Sequence, residues 1–172
     1  MNKILVTYAT RAGSTFEVAA LVAEVLRTTG ATVDVTYVRA VRELKDYDAV
    51  VIGSAIRMGQ WLPEAVEFVE ANCETLSHIP TAYFVVSGFL REDSPEMRQK
   101  ALAYLDPVRT MLEPISIGLF AGKMDYSKMN WFDRSIAEAV SSSAGDWRDW
   151  QAIRSWAQDL SRLLVPQSNG AS

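Results

Sequence analysis

Two residue types that enzymes lean on are nearly missing from this 172-residue chain, which has one cysteine, Cys73, and one histidine, His78. A single cysteine excludes an internal disulfide and any cysteine-based structural metal site. Excess charge of one sign is missing too. The 17 basic and 21 acidic residues leave a net charge of −4 with no basic tail, which argues against a nucleic-acid partner. No apolar run reaches the roughly 18 residues that a membrane-crossing helix needs. Only Met1 and Asn2 precede the first expected strand, too few for an export signal. The expectation is a soluble, cytoplasmic protein with no integral membrane segment, for which peripheral membrane contact stays open. Internal repeats, low-complexity tracts and linkers are also lacking. With 49% hydrophobic residues, the length suits one domain over residues 1–166, followed by a disordered tail over 167–172.

What the chain does have is concentrated at its start, in KILVTYATRAGST (Lys3–Thr15). Ile4, Leu5 and Val6 form a compact apolar run expected of a buried strand. From Ser14 to Thr29 the residues Val18, Leu21, Val22, Val25 and Leu26 follow the spacing of one helical face. Between them lie Thr10, Arg11, Ala12 and Gly13, small or hydroxylic apart from the arginine. Such a turn offers unpaired N–H groups at a positive helix end, where a phosphate is the natural guest. Thr10, Ser14 and Thr15 add hydroxyl donors, and Gly13 admits close backbone approach. An ordinary strand-turn-helix with a serine N-cap would use the same residue types. There is no lysine after the glycine and no G-x-G-x-x-G. The stretch T-x-A-G-S-T resembles the T-x-T-G-x-T phosphate loop of flavodoxins, which holds the FMN phosphate, and departs from it at Ala12.

The remaining chain alternates strands and helices. A second strand is expected over Ala31–Val38, near a sheet edge because Val33, Val35 and Tyr37 alternate with polar residues. An irregular crossover over Arg39–Lys45 leads to a buried strand, Asp48–Ser54. The segment Ser54–Trp61 then reads as a loop before a helix opened by Leu62-Pro63. A fourth strand lies within Ile79–Ser87, followed by the loop Gly88–Asp93 and a helix starting at Ser94. Pro107 should break that helix, with a fresh start capped by Asp106. Ile115–Ala121 is the fifth strand. A helix is expected near Trp131–Ser141, then a loop over Ser142–Asp146. Asp149 caps a last helix with Trp150, Ile153, Ala157, Leu160 and Leu164 on one face.

Five strands separated by helices predict a three-layer, doubly wound α/β domain with parallel sheet order 2-1-3-4-5. Its ligand crevice lies beyond the carboxyl ends of the strands, at the switch point between strands 1 and 3. Cys73 and His78 fall between a helix and the fourth strand, so both belong to the opposite end. Without that histidine no Ser-His-Asp or histidine-rich metal arrangement can be assembled. A phosphoacceptor reading fails because the third strand ends in Gly53-Ser54 and not in aspartate. A site poor in acids and bases suits a cofactor that carries the chemistry, and flavin fits. Ser54, Ala55, Ile56, Arg57, Met58 and Gly59 form one candidate ring-binding loop. Ser87, Gly88, Phe89 and Leu90 form another. A cation such as Arg57 beside a reduced, anionic flavin would raise its potential; the plain alternative is a solvent-facing arginine. Phe120, Tyr126, Trp131 and Phe132, with Met124 and Met129, follow the fifth strand and either wall the crevice or pack as core.

GSAIRMG, FAGKMDYSKMNWFDR and RDWQAIRSWAQDL together resemble the flavodoxin-domain family of menaquinone-dependent protoporphyrinogen oxidases, over nearly the whole chain. The resemblance implies FMN as cofactor and electron transfer from a porphyrinogen or similar reduced substrate to a quinone. SGFLREDSPEMRQK departs from the longer basic insertion of the oxidases proper. Two other readings fit the same residues. One is a flavodoxin-type FMN electron carrier serving a redox partner protein. The other is a flavodoxin-fold interaction module without flavin, which Ala12 would permit.

Overall fold

The computed structural model describes residues 2–11, 13–91, 94–124, 145–146 and 148–164. The expected helix near 131–141, the aromatics Tyr126, Trp131 and Phe132, Met129 and the tail 167–172 lie outside the described residues. In chain order the elements begin with β1 (Lys3–Ala9), α1 (Ser14–Arg27), β2 (Thr32–Tyr37), β3 (Ala49–Arg57) and β4 (Gln60–Trp61). They continue with α2 (Pro63–Leu76), β5 (Thr81–Ser87), α3 (Pro95–Tyr104), α4 (Asp106–Met111) and β6 (Ile117–Ala121). The ribbon strands β7 (Lys123–Met124) and β8 (Gly145–Asp146) and the helix α5 (Trp150–Leu164) complete them.

The main sheet runs β2-β1-β3-β5-β6, with every neighbouring pair parallel. Counting only these five strands gives the order 2-1-3-4-5. β2 is an edge strand, in line with its polar alternation.

The sheet has two covered faces because its central strands are apolar on both sides. Ile4 and Val6 of β1 pack with Val18, Val22 and Leu26 of α1 and Ile153 and Leu160 of α5. Leu5 points the other way, into a core shared with Ala65 and Val69 of α2, Ala101 of α3 and Val108 of α4. Residues such as Val18, Val22 and Leu26 have no exposed surface, and each such burial stabilises the fold by roughly 1.5–3 kcal/mol.

Several local expectations are corrected. The loop expected over Ser54–Trp61 is a hairpin: β3 continues to Arg57, and Arg57 and Gln60 pair across a two-residue turn to antiparallel β4. Met58 (φ 53°) and Gly59 (φ 73°) both take left-handed conformations, as a type I′ turn requires. Pro107 does mark a break, since α3 ends at Tyr104 and α4 opens at Asp106. Leu105 is the N-cap, however, and no side chain caps α4. Ser94 caps α3 by accepting from Met97 N at 3.2 Å. Asp149 accepts from Ala152 N at 3.0 Å, as an N-cap does, but Trp150 is 39% exposed and does not join the buried face of α5. Gly145–Asp146, expected in a loop, pairs with Lys123–Met124.

Candidate functional site

Parallel strands bring every strand-to-helix connection to one end of the sheet. In register, Ala9 lies beside Ser54, Ser54 beside Val85, and Ser87 beside Ala121. The turn 10–13, the hairpin 57–60 and the segment Gly88–Arg91, a 3₁₀ turn, therefore share the carboxyl edge. Cys73 and His78 lie at the other end. Cys73 sits within the last turn of α2, where its thiol donates to the Met111 carbonyl at 3.1 Å, and His78 is exposed.

The turn after β1 leads into a helix end without a side-chain cap. Gly13, at φ 89°, is the N-cap of α1, and no side chain caps the helix. Ser14 is thus the first helical residue and not the cap. Thr10 Oγ1 accepts from Gly13 N at 2.9 Å, which shapes the turn and leaves the threonine hydroxyl proton available to donate. Thr15 Oγ1 is buried and has no hydrogen-bond partner among the described residues. A buried hydroxyl without a partner costs about 1–3 kcal/mol, so this orphan, one residue inside an uncapped helix end, fits an anionic guest. Ala12 lies outside the described residues.

Arg11 is turned to a different task. Its guanidinium grips Glu64 with both nitrogens, Nη1 to Oε1 and Nη2 to Oε2 at 3.1 Å. Glu64, in the first turn of α2, is only 5% exposed. Arg39 approaches it to 3.8 Å and reaches Glu67 at the same distance. Burial pushes the Glu64 carboxyl up, but the Arg11 hydrogen bonds and the charges of Arg11 and Arg39 outweigh it and hold the group below the usual carboxylate range. Nothing in the sequence pattern marked Glu64 beyond an acid in a first helical turn.

On the hairpin side, Ser54 is fully buried. Its hydroxyl donates to Ala55 O at 2.8 Å and accepts from Leu62 N at 3.0 Å, tying the end of β3 to the start of α2. That side chain serves the scaffold, while Ala55, Ile56, Arg57 and Gly59 are half-buried, with Ala55 and Ile56 packed against the core. Met58 is 78% exposed. Tyr104, not singled out by sequence reasoning, joins this hairpin to the neighbouring segment. A Cβ on Gly59 would meet its ring at 3.3 Å, and the same ring packs edge-on against Phe89 at 5.8 Å. Its spacing of three from Ala101 and seven from Met97 was the available signal. Ser87 and Leu90 are buried, whereas Gly88 and Phe89 are half-buried.

Aromatics also flank the turn after β1. Phe16, 44% exposed, packs on Tyr8 at 5.4 Å, and Tyr8 on Tyr37 at 5.8 Å. Phe120, a candidate crevice wall, is instead core, buried against Phe84 and Trp156. No group of three or more His, Cys, Asp or Glu able to hold a metal ion occurs among the described residues. Nor is any described helix long and apolar enough to cross a membrane.

The family model described as "Flavodoxin domain" matches residues 5–150. A protein named protoporphyrinogen IX dehydrogenase [quinone] from Escherichia coli strain K12 is 27% identical over 175 residues, covering 94% of this chain and 96% of its own. Among solved structures, a short-chain flavodoxin associated with a non-canonical PDU bacterial microcompartment superposes with a TM-score of 0.61 at 13% identity, covering 95% of this chain and 99% of its own. A flavodoxin from Streptococcus pneumonia TIGR4 does so at 0.59 and 17% identity, covering 94% and 99%.

Proposed function

Since the chain belongs to the flavodoxin-domain family, we propose that it is an FMN-dependent oxidoreductase whose phosphate site is the turn between β1 and α1. The observation that carries this reading is the buried Thr15 hydroxyl, without a hydrogen-bond partner among the described residues, beside an uncapped helix terminus. Thr10, Ser14 and Thr15 would donate hydroxyl hydrogen bonds to the phosphate. The turn from Arg11 through Ala12 to Gly13 would supply backbone, with the Arg11 side chain engaged elsewhere. Residues 54–59 and 87–90 would border the ring, with Phe89 and Met58 offering apolar surface and backbone groups its polar edge. Arg57, at the end of β3, would favour the reduced, anionic form by Coulomb attraction. The bound flavin would supply reversible electron uptake, for which the described crevice has no acid, base or metal constellation of its own.

The finer assignment is transfer of electrons from a porphyrinogen or a similar reduced substrate to a quinone. It is supported by the name of the Escherichia coli relative, aligned over 94% of this chain. Titration of the purified protein with FMN, followed by flavin absorbance and fluorescence, tests the cofactor. Saturable binding with a resolved, perturbed flavin spectrum is expected. An unchanged spectrum and melting temperature at saturating FMN overturns the reading. Anaerobic addition of protoporphyrinogen should then bleach the flavin and a quinone restore it; bleaching only through a partner protein would point to a carrier instead.

A further inference from the structure

Arg11 and Glu64 are 53 residues apart in sequence, yet their side chains form a two-point ion pair. One end is in the anion turn. The other is in the first turn of α2, directly after the hairpin that ends in Trp61 and the N-cap Leu62. Ser54 makes a second tie at the same junction by accepting from Leu62 N. Three chain segments that meet only in the tertiary structure are thus fastened at one place.

The pair is mostly withdrawn from water on the Glu64 side, where the side chain is 4% exposed and Arg39 adds a second cation at 3.8 Å. A planar guanidinium held at two points fixes direction as well as distance, which a single contact does not. The Arg11 backbone is part of the turn that must present Thr10, Ser14 and Thr15 together.

We propose that Glu64 is a positioning residue for phosphate recognition: by clamping Arg11 it holds Thr10, Gly13, Ser14 and Thr15 in their anion-receiving arrangement. The inference rests on the functional reading above and adds to it a residue remote in sequence from the turn it orders. Glu64 touches neither phosphate nor ring. Its carboxylate would, by charge alone, oppose a phosphate, so positioning and simple electrostatics predict opposite consequences for its removal.

That opposition supplies the test. Glu64→Gln and Arg11→Ala change the local charge in opposite directions. A charge effect would strengthen FMN binding in the first and weaken it in the second. Positioning predicts that both weaken FMN by about tenfold, that the double variant is no weaker than either single one, and that riboflavin, which lacks the phosphate, binds all four proteins equally. Amide hydrogen exchange of the peptide spanning residues 9–15 in flavin-free protein supplies an independent readout, expected to quicken in both single variants while the circular dichroism spectrum is unchanged. Tighter FMN binding in Glu64→Gln, or exchange in that peptide unaltered by either substitution, overturns the proposal. Wild-type protein that binds no FMN would overturn the functional reading itself, a result separate from the exchange measurement.

Discussion

The ring of Phe84 packs against Gly53, its register partner on the adjoining strand, so closely that a Cβ on Gly53 would lie 1.9–2.3 Å from three of its ring carbons. Phe84 is itself locked, with Trp156 at 6.2 Å and Phe120 at 6.5 Å from its centroid. The glycine is a seat for an aromatic at the centre of the sheet, two register pairs before the paired part of β3 and β5 ends. Gly53→Ala should therefore destabilise the protein by about 1–3 kcal/mol, the usual cost of overpacking a filled core. Urea unfolding measures it; a midpoint equal to wild type would mean that the ring swings aside freely.

Thr15→Val should separate stability from binding. The hydroxyl has no partner among the described residues, so replacing it with a methyl should stabilise the flavin-free protein by about 1–3 kcal/mol. FMN affinity should fall by about tenfold, as expected for a lost hydrogen bond to a charged group. Thermal melting with and without FMN reads both. An equal or higher affinity in the variant would remove Thr15 from the site.

Met58 occupies a left-handed backbone conformation at φ 53° with its side chain in solvent. Asparagine tolerates that conformation better, and Asn-Gly is the favoured type I′ pair. Met58→Asn is expected to stabilise the protein by about 1 kcal/mol in denaturant unfolding. No gain would imply that the methionine side chain recovers the difference through packing.

The Tyr47 hydroxyl donates to Asp34 Oδ2 at 2.7 Å, and Lys3 Nζ lies 5.0 Å from the ring centroid. Partial burial first, then the hydrogen bond and charge of Asp34, push the phenol up to about 12 from its ordinary 10.0. A raised folded-state value means that the protonated phenol contributes stability fully below pH 10 and loses it as pH rises toward 12. Burial raises Tyr8 and Tyr83 as well, so absorbance titration near 295 nm should show several tyrosines ionising late, and Tyr47→Phe should lower the late amplitude by one tyrosine's share. A late amplitude equal to wild type in the variant would remove Tyr47 from the late-ionising group.

Local pattern was sufficient wherever one segment carried its own signal. The apolar run Ile4–Val6, the helical face of Val18, Val22 and Leu26, the cap at Ser94 and the break at Pro107 were all legible. So was the position of the turn between β1 and α1, because glycine and hydroxyl residues favour the start of a helix. The hairpin was missed because Ile56 and Arg57 continue the strand without alternation, and Met at the first turn position hides the glycine-based turn signal.

By itself the sequence determined the five parallel strands of the main sheet, their alternation with the described helices, and which connections share its carboxyl edge, since periodicity and turn chemistry act within about ten residues. Only the tertiary structure decided that Arg11 reaches Glu64, that Ser54 serves the scaffold, that Phe120 is core and that Tyr104 joins two loops. Those outcomes depend on strand register and helix placement across tens of residues, where one arginine or one tyrosine is chemically eligible for many partners and geometry selects among them.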